Sequence, residues 1–144
     1  MKQRKVLNNG FVKLIDITGD NFLTFHIKCP IFVVNQLKQN GFVVKQEGEP
    51  EFYIPAYFRN QLDKNENLSE QLCNELQGRL QNFYYQTHNF YKKLLDRGVS
   101  KEQAQTILPL GTYVQLYWAT NVTELMCFLK LYFKTEQAEV KEYV

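Results

Sequence analysis

Arginine is scarce in this chain. Only Arg4, Arg59, Arg79 and Arg97 occur among 144 residues, against thirteen lysines. Phosphate-rich ligands are usually gripped by the two-pronged guanidinium, so the scarcity limits how such a ligand could be held. The net charge is only +2 and is dispersed apart from Lys2, Arg4 and Lys5. That excludes the basic footprint of a nucleic-acid-binding protein. The three cysteines, Cys29, Cys73 and Cys127, show neither metal nor redox spacing and read as reduced thiols in a cytoplasmic protein. Histidine occurs twice, at His26 and His88, with no ligand-spaced partner, so both are assigned structural roles. Glycine-rich phosphate loops are missing, and Glu47 and Glu49 around Gly48 read as a solvated loop. No apolar run reaches membrane-spanning length, and the start of the chain lacks a secretory apolar core.

What is present is regular patterning. Phe11 to Thr18 and Phe22 to Lys28 alternate apolar and polar residues around a Gly19-Asp20-Asn21 turn, predicting two strands paired as a hairpin. Pro30 suits the first turn of a helix that carries Ile31, Val34 and Leu37 and stops at Asn40-Gly41. Val43 to Pro50 reads as polar and turn-rich, followed by the apolar anchor Phe52-Tyr53-Ile54-Pro55.

The clearest helical signal runs from Leu68 to Leu95, with leucines and phenylalanines at three-and-four spacing. Gly98 ends it, and Ser100 to Gln103 opens a short helix that must stop before Pro109. Gly111 to Ala119 is a further strand. Asn121 or Thr123 then caps a helix with Leu125, Phe128, Leu129 and Tyr132, and Thr135 begins a last short one. The prediction is one α+β domain over residues 1–144, an antiparallel or mixed sheet packed with a long helix and shorter helices.

Three segments carry more than periodicity. Phe25-His26-Ile27-Lys28-Cys29-Pro30-Ile31-Phe32-Val33-Val34 resembles the FH(I/V)KAPIFVA segment of the flavin-dependent thymidylate synthases, ThyX. Phe52-Tyr53-Ile54-Pro55 is similar to that family's FYIP element. Gly98 to Leu110 resembles its GVSREQARxxLPL stretch, and the likeness continues through Trp118-Ala119-Thr120-Asn121 to Leu131. The opening Val6 to Val12 is like the family's VLDHGFV start, so the resemblance spans nearly the whole chain in order.

The departures fall on charged positions. The family's RHRxxSxNExSxRY signature corresponds here to Gln39, Asn40, Gly41 and the residues after them, and of that helix only Gln36 matches a polar family position. Gln105 stands where GVSREQAR ends in arginine, and Tyr132 where the late LxLR motif does. A helical segment that family members insert between Asp20 and Phe22 is also missing. Each lost charged hydrogen bond is worth about 1.5–3 kcal/mol.

From these losses the resemblance implies a shortened, degenerate member without catalysis, with FAD binding lost and no cofactor. It would act as a binding module, in the manner of a viral protein, for a nucleotide-like ligand or a host protein. The alternative is a flavin-dependent thymidylate synthase converting dUMP to dTMP, or a regulatory subunit co-assembling with one. Family assembly implies a homo-oligomer, dimer or tetramer. Ligand contacts are expected from Gln36, Gln105, Tyr132 and Asn121, with Lys28 or Lys130 lending charge. No metal, membrane or nucleic-acid partner is expected.

Overall fold

The computed structural model describes residues 2–19, 21–37, 41–46, 48–134 and 138–144. The chain divides into two compact units, Met1–Tyr53 with Leu110–Val144, and Ile54–Pro109.

The first unit is a five-stranded antiparallel sheet. Its strands are β1 (Gln3–Val6), β2 (Gly10–Thr18), β3 (Phe22–Pro30), β4 (Phe42–Lys45) and β5 (Tyr113–Asn121), in the order β1-β2-β3-β5-β4. The expected hairpin is β2–β3, in which Val12 faces Ile27 and Leu14 faces Phe25 before a bulge at Ile15. Pro30 closes β3, facing Tyr113, and helix α1 (Ile31–Leu37) starts one residue later. Its first amides donate to Thr112 O (2.9 Å) and Leu110 O (3.0 Å), which ties the strand-to-helix corner to the start of β5.

Strand alternation sorts residues between two faces. Ile27 and Cys29 of β3 and Leu116 and Trp118 of β5 point into one core. Three helices cover that face: α1 through Val33 and Leu37, α4 (Val122–Tyr132) through Phe128, and α5 (Ala138–Tyr143) through Val140 and Tyr143. Tyr143 donates its hydroxyl to Lys28 O at 2.8 Å. That approach needs Gly10, because a Cβ there would collide with the Tyr143 hydroxyl and sit 2.7 Å from both Lys28 O and Val6 O.

Two expectations about this unit are corrected. The 43–50 segment is not simply turn-rich, because Phe42–Lys45 forms the edge strand β4 against β5. In α1 the buried positions are Val33 and Leu37, whereas Ile31 and Val34 are only half-buried. The expected helix stop at Asn40 and the helix start at Thr135 lie outside the described residues.

The second unit holds the long helix α2 (Glu70–Asp96), the short α3 (Lys101–Ala104) and a 3₁₀ turn, Gln105–Ile107. Ser69 caps α2 by accepting from the Leu72 amide, and Gly98 at φ +86° follows its C-cap, where only glycine is unstrained. Gln77 fastens the preceding chain by donating to Pro55 O (2.8 Å) and Ala56 O (2.6 Å). The side that α2 buries is not the expected stripe. Cys73, Tyr84 and Tyr91 are buried, whereas Leu72, Phe83, Phe90 and Leu95 are exposed. A periodic pattern reports that a helix has an apolar side, not what covers it.

Candidate functional site

Within the sheet unit the sequence-predicted ligand residues Gln36, Tyr132 and Asn121 do not converge on one point. Gln36 is exposed on the last turn of α1, beside the buried Leu37. Tyr132, the last residue of α4, reaches that same corner, donating its hydroxyl to Leu37 O at 3.0 Å and packing its ring on Phe128 with centroids 4.9 Å apart. Tyr132 therefore fastens α4 to the end of α1. Asn121 sits at the opposite end of α4, about 16 Å away along an eleven-residue helix. Its Oδ1 accepts from the Glu124 amide at 2.8 Å, the N-cap geometry expected from the sequence. Gln105 lies in the 3₁₀ turn of the other unit. Gln39 and Asn40 lie outside the described residues.

Two concavities flank α4. The larger, about 770 Å³, surrounds its N-terminus and is lined by Asn21, Phe22, Asn121, Val122, Thr123 and Glu124. Phe22 is 55% exposed and offers a flat apolar wall. At the helix start the Val122 amide already donates to Asn21 O at 3.1 Å and the Glu124 amide to Asn121 Oδ1, so what positive potential there is comes from the helix dipole, with the Glu124 carboxylate beside it. Glu124 is held by Thr120, whose hydroxyl donates to it at 3.1 Å. The smaller concavity, about 310 Å³, lies at the other end of α4 and combines Lys130 and Lys134 with Met126, Leu129 and Phe133.

Lysine thus stands in this region where arginine was sought. Lys130 is exposed and lines the smaller concavity. Lys28 lies elsewhere: it alternates with the core residues Ile27 and Cys29 and so leaves the opposite face of the sheet. There it pairs with Glu51 at 2.9 Å and lies 5.7 Å over the Tyr113 ring. That face also holds His26, stacked on Tyr117 with centroids 4.4 Å apart and with Nε2 2.7 Å from Gln115 Oε1. Thr123, Phe22, Phe133 and Lys134 were missed by sequence reasoning. Val122–Tyr132 is apolar on almost every side, so no periodicity separates its outward face from its core face. Among the described residues, no group of His, Cys, Asp and Glu could hold a metal ion. No helix among them is long and apolar enough to cross a membrane.

Comparison with known proteins decides what this scaffold is. Residues 21–144 match the family model described as thymidylate synthase complementing protein. The chain belongs to the flavin-dependent thymidylate synthase family. The flavin-dependent thymidylate synthase of Treponema denticola is 32% identical, over 99% of this chain and 74% of its own length. That of Pseudothermotoga lettingae is 29% identical, over 88% of this chain and 77% of its own. The first of these alignments runs over 202 residues, more than the 144 of this chain, so the relative carries internal residues that have no counterpart here. The fold agrees with a UMP/dUMP methylase, PolB, from Streptomyces cacaoi bound with 5-Br UMP. That match has a TM-score of 0.73 at 21% identity, covering 96% of this chain and 87% of that one.

These relatives overturn three expectations. The reading of a binding protein without catalysis, the answer that the chain is no enzyme, and the expected loss of flavin all give way to relatives named as flavin-dependent synthases. The physical reason lies in how those expectations were built. They weighed single arginine positions, whereas the kinship runs along nearly the whole chain. A flavin needs a flat apolar wall, amide and backbone donors, and positive potential for its phosphates. Phe22 with Asn121 at the start of α4, and Lys130 with Lys134 at its other end, are groups of those kinds in two separate concavities, so the residues present fit the group in chemical type and not as one assembled pocket.

Proposed function

We propose that this chain is a thymidylate-forming enzyme of the flavin-dependent family, converting dUMP to dTMP, with residues 1–144 acting as one functional domain. What carries the reading is relatedness along the whole chain, 32% identity over 99% of it to a synthase of that name. When bound, the flavin supplies the reducing hydride. The chain's own part is to hold and orient. Phe22 walls a ring, Asn121 and Thr123 present polar atoms at the start of α4, and Lys130 and Lys134 meet phosphate charge in place of arginine. Gln36 beside the α1–α4 clasp is proposed as a neutral contact to base or sugar. Tyr132 serves mainly to position α1 through its hydrogen bond to Leu37 O.

The substrate class, a uridine nucleotide, rests on the same kinship. Assembly of copies is supported by α2, which leaves Leu72, Phe83, Phe90 and Leu95 exposed along one helix. Free thiols at Cys29, Cys73 and Cys127 suit a reducing compartment such as the cytoplasm.

The test is rescue of a thymidine-requiring bacterium together with the flavin absorbance of the purified protein. Thymidine-independent growth and a yellow protein are expected. Colourless protein and failed rescue together would sink the proposal. Replacing both Lys130 and Lys134 with alanine should raise the half-saturating dUMP concentration about 10-fold or more, as expected for losing a charged hydrogen bond.

A further inference from the structure

The sheet's helix-covered face is not completely filled. Between β2, β3, β4 and β5 on one side and α1 and α4 on the other lies an open-mouthed cavity of about 230 Å³. Four rings form its cage. Trp118 is central, with Phe128 at 4.8 Å, Phe42 at 5.4 Å edge-on and Phe25 stacked at 5.9 Å. Leu37 and Leu129 close the helix side. Two lining side chains carry a polar atom: Tyr143, which already donates its hydroxyl to Lys28 O, and Trp118 with its indole N–H. Among the described residues no buried side-chain polar atom lacks a partner.

A water molecule needs two to four polar partners, and the side chains of this lining offer it at most one, the Trp118 indole N–H. Polar and charged ligands are disfavoured for the same reason, since each would lose its hydration without compensation. An engineered cavity of about 150 Å³ with a comparable lining stays dry and takes up benzene. The present cavity is larger than that and falls below the span of drug-sized pockets, about 300–1,000 Å³. We infer that this cavity is a binding site for a neutral, single-ring aromatic molecule, separate from the groove and lysines proposed to hold nucleotide and flavin. The two are adjacent but open separately: Leu129 lines both this cavity and the lysine concavity, and the Leu37 carbonyl accepts from Tyr132.

Trp118 is the chain's only tryptophan and forms the cavity wall, which makes its emission a direct reporter. Iodobenzene should quench it with a saturable dependence on concentration, and toluene should reverse the quenching and raise the melting temperature. Leu129→Phe, which inserts a ring into the void, should abolish saturation and raise the melting temperature without any ligand. Should Leu129→Phe fail to fold, Val12→Leu makes the same test with a smaller side chain. Quenching that stays linear, as for a freely exposed indole, would overturn the assignment. So would a filling variant that folds but melts lower than the parent, because the space would then already be occupied. Quenching protection that grows with protein concentration would mean a side chain of a second copy fills the cavity, which also refutes a small-molecule site. None of these readouts requires flavin, dUMP or turnover, so the result stands apart from the enzymatic proposal.

Discussion

The sheet unit and the 54–109 unit use their apolar residues in opposite ways. In the sheet, Leu116, Cys29, Val33 and Leu37 are essentially inaccessible to solvent, and the strands and helices bring them together from distant parts of the chain. In α2, twenty-seven residues bury only Cys73, Tyr84 and Tyr91, although the helix carries five leucines and two phenylalanines. A helix of this kind has local reasons to be helical, including its Ser69 cap and a glycine stop, but limited tertiary reasons to stay so. The sheet unit has the reverse balance. The contrast predicts where substitutions will hurt, and by how much.

The largest effect is expected at the centre of the sheet. Trp118→Ala should cost about 3–5 kcal/mol in chemical denaturation, the usual range for emptying an aromatic core position. A cost below about 1 kcal/mol would mean the core is not organised around Trp118.

Next comes pH. Burial pushes the Cys29 thiol from 9.0 up to about 12, so the folded state keeps a proton that the unfolded chain gives up earlier. The unfolded state binds fewer protons in that window, so stability is complete below about pH 9 and falls by about 1.4 kcal/mol per unit above it. Burial raises Tyr143 as well, but an unfolded tyrosine ionises only near pH 10. The loss between about pH 9 and 10 is therefore Cys29's, and Cys29→Ala should remove it. A thiol reagent on the native protein should label exposed Cys127 and spare buried Cys29 and Cys73.

Capping sharpens the comparison at a smaller scale. Asn121→Ala and Ser69→Ala each remove one side-chain acceptor from a helix start, worth about 1 kcal/mol. Because α4 carries Phe128 into the core, Asn121→Ala should lower the global unfolding free energy. Ser69→Ala should instead speed hydrogen exchange in the first turns of α2 and leave the sheet amides unchanged.

The smallest effect on folding belongs to Phe83→Ala. This ring is 52% exposed, and its removal should change intrinsic stability by no more than about 0.5 kcal/mol. If α2 is an assembly surface, the same change should shift light scattering toward smaller species.

Local signals were legible in the sequence and long-range ones were not. The β2–β3 hairpin, the Ser100 and Asn121 caps and the Gly98 stop each depend on a few adjacent residues, and each stands where the pattern placed it. Strand β4 was not readable, because Phe42–Lys45 becomes a strand only by meeting residues 115–118 of β5. The same limit explains α1, where Val33 and not Val34 is buried because β5 and α5 dictate which side is inward. At the site, the resemblance pointed to Gln36 and Tyr132, and the fold does bring Tyr132 to the residue next to Gln36. It could not show that the Tyr132 hydroxyl would be engaged by a backbone carbonyl. Nor could it show that Phe133 and Lys134 would form a rim with Lys130, since that depends on which side of a nearly all-apolar helix is left uncovered.

The strand order β1-β2-β3-β5-β4 has a consequence for how the chain is made. The first three strands can zip together as soon as they leave the ribosome, through short connections. The other side of β3 must then wait for β5, with everything from Ile31 to Thr112 still to be synthesised. At 5–20 residues per second that delay is on the order of ten seconds. During it the free side of β3 presents a ladder of unpaired backbone groups, the kind of edge that recruits other nascent chains. The interval between the birth of β3 and that of β5 is thus when this protein is most exposed to aggregation, and when a chaperone would find the most to hold.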